Sequence, residues 1–156
     1  MGIIFPKKSN AGSKLLITLL LISLSPILIF IVLLYFLWGA ILCVAVWLTW
    51  RDRVVLFVYS DSPTWKDYIE REILPHVQDK AVILNWSERR NWKISLPVLA
   101  FHYFGGYRNF NPIGIVFRPC RFVKTYRFFE AFKEFKHGNP GRVEKMKNEL
   151  FEILEV

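Results

Sequence analysis

The chain has 156 residues, 53% of them hydrophobic, and a formal net charge of +8. Its length bounds the water-soluble part to one small domain with a real core, and its two cysteines exclude a fold stapled by disulfides. The averages hide a division, because all 13 acidic residues lie beyond residue 50 while Lys7, Lys8 and Lys14 are the basic residues that precede it.

Residues 1–14 read as a short basic tail containing Gly2, Gly12 and two serines. Its lysines resemble the start of a secretory signal, yet the apolar stretch that follows is far longer than a signal's 7–15 residues and has no small-residue cleavage site. Pro6 stands where a myristoylation signal requires Ser or Thr.

From Leu15 to Trp50 no residue is charged. A bilayer core needs about 20 such residues in a helix, so 15–50 is expected to be a transmembrane anchor and the lipid bilayer is the first expected partner. One straight helix over this stretch would be about 54 Å long at about 1.5 Å per residue, well beyond a hydrocarbon core of about 30 Å. Ser25-Pro26 and Trp38-Gly39 are the candidate breaks. Two arrangements follow: a helical hairpin, or one long kinked span near Leu15 to Phe36 whose continuation, residues 39–50, lies at the interface or packs on protein. Lys7, Lys8 and Lys14 on one flank nearly balance Arg51, Arg53, Lys66 and Arg71 on the other, which favours the hairpin with both flanks cytoplasmic. The chain is therefore expected to be an integral membrane protein with its soluble domain on the cytoplasmic side.

Residues 51–156 read as an α/β domain. Val54 to Tyr59 is a run of β-branched, aromatic and aliphatic residues bounded by charges and by Ser60-Asp61-Ser62-Pro63, the pattern of a strand buried on both faces. Ser62-Pro63 suits a helix N-cap followed by the first helical position, and Thr64 with Asp67 offers a second capping arrangement. Trp65, Tyr68, Ile69, Ile73 and Val77 then share a helical face, with Pro75 set to kink or end it. Ala81 to Trp86 is a second strand, parallel to the first by the crossover rule. A charged connector over Ser87 to Lys93, a short helix over Leu96 to Phe104 and a break at Gly105-Gly106 follow. Ile113 to Phe117 is a third strand, turned at Arg118-Pro119 into an antiparallel fourth, Arg121 to Arg127. Phe128, Phe129, Phe132 and Phe135 mark a helix that buries phenylalanine, His137 to Gly141 a stop, and Val143, Met146, Leu150 and Leu154 one face of a last helix.

The order β-α-β-α-β-β-α resembles the thioredoxin-like fold over about residues 54–137, leaving the last helix as an addition. Ser60-Asp61-Ser62-Pro63-Thr64-Trp65 stands where that family carries Cys-x-x-Cys, and Asn111-Pro112 stands where it places a cis-proline beside the active site. The resemblance implies a small mixed sheet and a groove that holds extended peptide, with Ser60, Asp61, Ser62, Trp65, Asn111 and Pro112 as the partner-binding residues. It does not imply redox chemistry, because Ser and Thr cannot cycle between thiol and disulfide and Cys120 falls away from the motif. A binding, assembly or scaffold subunit with a membrane-protein partner is the leading expectation, and a catalytic role is the less favoured one. The alternative is an enzyme or redox-related protein that uses Ser60, Asp61 or Cys120 on a membrane-borne substrate.

Between Arg89 and Phe129 lie eight basic residues, Arg89, Arg90, Lys93, Arg108, Arg118, Arg121, Lys124 and Arg127, and no acidic one, with many aromatics between them. Such a surface suits anionic lipid headgroups or an acidic partner, each cation contributing about 1 kcal/mol near the membrane. An ordinary solvated face is the bland alternative, and nucleic acid, the other polyanion with this chemistry, is not expected. His76, His102 and His137 are too scattered for a metal site, Gly105-Gly106 lacks the company of a phosphate loop, and no metal or cofactor is expected. Asn85-Trp86-Ser87 matches a glycosylation sequon but abuts a strand, and Cys43 reads as a small apolar residue of the anchor.

Overall fold

The structure is a computed structural model and describes residues 11–107, 111–119 and 121–155. Most of the basic tail, Arg108 and Cys120 lie outside the described residues. The chain divides into two units, one ending at Gly39 and one running from Ala40 to Val156.

Residues Ala11–Trp50 form one α-helix, α1, so the hairpin favoured by the sequence is not formed. Pro26 sits inside the helix without ending it. Having no N–H, Pro26 leaves the Ile22 carbonyl without its usual donor, and the Ser25 hydroxyl donates to that carbonyl at 2.8 Å. Ser23 makes the same kind of bond to Leu20, and Thr18 to Lys14, so these three hydroxyls are satisfied by the backbone. In the first unit Leu15 and the large apolar side chains from Ile17 to Trp38 are exposed. Ile17–Trp50 is long and apolar enough to cross a membrane.

The second unit is a mixed four-stranded sheet with helices on both faces. Its strands are β1 (Val55–Tyr59), β2 (Ala81–Asn85), β3 (Ile113–Val116) and β4 (Lys124–Arg127), arranged β2-β1-β3-β4. β1 pairs parallel with β2, antiparallel with β3, and β3 pairs antiparallel with β4. All five residues of β1 are buried, as a central strand covered on both sides requires. The fourth strand is shorter than the sequence predicts, beginning at Lys124, because Arg121 to Val123 lie ahead of it outside the ladder.

The segment expected as one helix after Ser62 is built from pieces. Lys66–Tyr68 is a turn of α-helix (α2), Ile69–Ile73 widens into a π-turn, Leu74–Val77 (α3) is α-helical again, and Gln78–Lys80 tightens into a 3₁₀ turn. The wide turn lies directly ahead of Pro75, whose missing donor prevents a regular ladder there, and the Leu74 N–H reaches the Ile69 carbonyl instead. Ile69, Ile73 and Val77 still fall on the buried face. The charged connector is a 3₁₀ turn over Trp86–Asn91, followed by α4 (Leu96–Phe104), α5 (Phe129–Lys136) and α6 (Gly141–Leu154). The Asn111–Pro112 peptide bond is cis.

The two faces of the sheet carry separate cores. On one, Phe57 of β1 packs with Ile69, Ile73, Phe128, Phe132 and Leu150 from the helices after β1 and β4. On the other, Leu56, Val58, Ile113 and Ile115 are covered by Ala100 and Phe101 of α4 and by Val46, with Cys43 and Trp50 beside it, from the end of α1. The last turns of the uncharged stretch are thus part of the domain core.

Candidate functional site

Ser60 to Trp65 leaves β1 at the edge of its pairing with β3. The Ser62 carbonyl accepts from the N–H of Trp65 at 3.2 Å and of Lys66 at 2.9 Å, which starts the helical segment, while its hydroxyl accepts from the Thr64 N–H at 3.4 Å. Ser62 therefore makes the turn, and Thr64 supplies no side-chain cap among the described residues. Asp61 is tied down on three sides: Lys66 lies 2.8 Å from its carboxylate, Asn85 donates to it at 3.1 Å, and its own N–H donates to the Ser87 hydroxyl at 3.0 Å. Hydrogen bonds from Lys66 and Asn85 hold the Asp61 carboxyl below its ordinary range. The arrangement clamps the loop after β1 to the end of β2, a positioning role in which Asp61 is an ionised acceptor rather than a poised base. Asn85 also accepts from the Ser87 N–H at 2.9 Å, so the sequon's asparagine is engaged within the fold.

Antiparallel register brings the second half of the predicted groove to the same end of the sheet. Val58 stands opposite Ile113, so the chain leaving β1 through Tyr59 and Ser60 runs beside the chain entering β3 through Asn111 and Pro112. Both segments border the start of α5. The Trp65 ring lies 6.1 Å from Phe129 and 6.1 Å from Phe132, and the Pro112 carbonyl accepts from the Phe128 N–H at 2.9 Å. Two buried polar atoms here have no hydrogen-bond partner among the described residues: Trp65 Nε1, a donor, and Asn111 Oδ1, an acceptor. An unmade buried bond costs about 1–3 kcal/mol.

The basic stretch is divided rather than gathered. Arg89 and Arg90 follow β2 at one edge of the sheet, whereas Arg118, Arg121, Lys124 and Arg127 lie along the β3–β4 edge opposite. The Arg89 guanidinium stacks 4.9 Å over Trp86 and donates to its carbonyl, and Arg90 and Lys93 are exposed. Lys124 sits over the Tyr126 ring at 4.7 Å and 3.7 Å from Glu149. Arg127 lies over Gly106, whose φ of +76° and lack of a side chain leave room for the guanidinium. Arg118 is half-buried and Arg121 exposed in the turn between β3 and β4, and neither makes an ion pair among the described residues.

One polar cluster has no counterpart in the sequence reading. Tyr68 donates to Glu144, which also pairs with Lys147 at 2.8 Å, and Lys147 reaches Glu72 at 3.6 Å. Burial and the bond to Glu144 push the Tyr68 hydroxyl up to about 12, while Lys147 and Tyr68 hold Glu144 below its usual range. For Lys147 burial opposes the charge, but the hydrogen bonds to Glu144 and Tyr68 outweigh it. The cluster ties the segment after β1 to α6, and only the helical spacing of Glu144 and Lys147 hinted at half of it. His76 stacks on Phe151 at 4.9 Å, and among the described residues no three His, Cys, Asp or Glu gather as metal ligands would. Comparison of the chain with protein-family models, with curated proteins and with solved structures finds no match.

Proposed function

We propose that this chain is a membrane-anchored, thioredoxin-like module without a redox centre, which works by holding a segment of a membrane-protein partner. The anchor rests on the uncharged stretch of α1 beyond Lys14, whose exposed Leu, Ile and Phe side chains lipid would cover. The thioredoxin-like reading is supported by the strand order β2-β1-β3-β4 with one parallel and two antiparallel pairings, and by α4 on one face with α5 on the other. The observation that carries the binding role is the meeting of Ser60 to Trp65 with Asn111-Pro112 at one end of the sheet. A donor and an acceptor lie unmatched there, and the loop holds no cysteine. An extended strand offers both complementary groups on its backbone, as peptide grooves of this type exploit. With one span the two flanks of the helix lie on opposite sides of the bilayer, so the near-balance of Lys7, Lys8 and Lys14 against Arg51, Arg53, Lys66 and Arg71 selects neither side for the domain.

The test is co-purification from detergent-solubilised membranes of the full chain and of the double variant Trp65→Ala, Asn111→Ala. Loss of a partner held by the parent chain is the expected result; an unchanged set of partners removes the groove from consideration.

A further inference from the structure

We infer that the second unit holds one anionic phospholipid of the bilayer in a cleft between the end of α1 and the turn joining β3 to β4. The cleft has a volume of about 440 Å³ and is lined by Val44 and Trp47 from the helix, by Phe117 and Phe122 from the strand side, and by Arg118 and Arg121. That volume lies within the range of small-molecule sites, about 300–1,000 Å³. Its walls are apolar apart from the two guanidinium groups, which is the division of a phospholipid into chain and headgroup.

The surroundings favour lipid over water or a soluble anion. Phe122 is fully exposed between Arg121 and Val123, a large apolar side chain held out at the mouth of the cleft. Ile41, Val44, Trp47 and Leu48 form the exposed face of the helix end, while Leu42 and Val46 are buried on the other. That exposed face follows in sequence directly on the uncharged residues ending at Gly39. Tryptophan beside arginine is the usual composition of a membrane–water interface. No acidic residue occurs between Arg89 and Phe129, and neither arginine makes an ion pair among the described residues, so the positive charge of the cleft is left for an outside anion. Planar guanidinium groups bind phosphate oxygens in pairs, which suits two of them to one phosphodiester.

This inference rests on the membrane-anchored reading above and is independent of the peptide groove. It is tested on the full chain, purified in detergent and examined by native mass spectrometry after titration with phosphatidylglycerol or phosphatidylcholine. One bound phosphatidylglycerol per chain is expected, with phosphatidylcholine bound at least tenfold more weakly. In Arg118→Gln, Arg121→Gln that preference is lost, each cation removed accounting for about fivefold. Val44→Trp, which fills the cleft and leaves both charges in place, lowers the binding of both lipids. Equal retention of the two lipids, or retention unchanged in both variants, overturns the inference. So does displacement by millimolar inorganic phosphate, which would make the site one for a free anion, or loss from Val44→Trp of a co-purifying polypeptide with lipid unchanged. Fractionation of the producing cells separates the two readings: a chain found in membranes without the lipid preference defeats only the cleft, and a chain found in the aqueous fraction defeats the anchor and the cleft together.

Discussion

Two parts of one helix, alike in composition, have opposite surroundings. From Ile17 to Trp38 the large apolar side chains of α1 stand exposed all round, whereas from Ala40 to Trp50 they divide into a buried set, Leu42 and Val46, and an exposed set, Ile41, Val44, Trp47 and Leu48. The first pattern suits a solvent that is apolar on every side. The second is the one-sided pattern of a helix laid against a core, with Val46 at 1% exposure beside Leu56, Val58 and Phe117. Hydropathy measures only whether a side chain avoids water, so it gives the two parts one value and puts a boundary at Arg51 where the fold has one at Ala40.

The most forceful way to break this comparison is truncation. A chain beginning at Ala40 is expected to keep a cooperative unfolding transition in mild detergent. One beginning at Arg51 uncovers part of a sheet face and loses about 4–8 kcal/mol of burial, most of the roughly 5–15 kcal/mol a domain has to spare. Equal stability of the two would mean that residues 40–50 belong with the exposed part. A finer test pairs two single changes read by urea denaturation of the full chain: Val46→Ala is expected to cost about 2 kcal/mol, and Leu33→Ala to leave the domain within about 0.5 kcal/mol of the parent.

The smallest effect lies on the opposite face of the sheet, which α1 does not cover. Tyr68→Phe removes the bond to Glu144 and should cost about 0.5–1.5 kcal/mol. The folded state holds the Tyr68 proton more tightly than the unfolded chain, so this contribution is complete below pH 10 and is lost as pH rises toward about 12. Glu144 runs the other way: its depressed folded value makes its contribution complete above the ordinary glutamate range and lost as acid protonates it. Urea midpoints measured across pH for parent and Tyr68→Phe should therefore converge in alkali; parallel profiles would remove the tyrosine from the account.

Much of the sheet was legible because its central strands are buried on both faces. Val55 to Tyr59 and Ile113 to Val116 appear as unbroken apolar runs, and the turn residues around them fix their ends. The segment after Ser62 was legible as a buried face but not as a ladder, since the π-turn ahead of Pro75 leaves the positions of Ile69, Ile73 and Val77 helical in spacing. The hairpin expectation took Ser25-Pro26 and Trp38-Gly39 as breaks, yet the helix runs through both, and beside Pro26 the Ser25 hydroxyl donates to the Ile22 carbonyl that the proline leaves without its usual donor. The basic run gave composition without place, and strand order alone decides that Arg89 and Arg121 fall at opposite edges. The cleft beside Phe122 was not legible, because Arg121-Phe122-Val123 reads as the start of the fourth strand, whereas the strand begins at Lys124 and leaves Phe122 exposed ahead of it.

The central claim is that the uncharged first part of α1 lies in lipid while the remainder of the chain is a folded domain. Alkaline carbonate extraction of membranes from cells producing the full chain tests it most directly. The account predicts that the protein stays in the membrane pellet and is released only by detergent; recovery of the intact chain in the carbonate supernatant would contradict it.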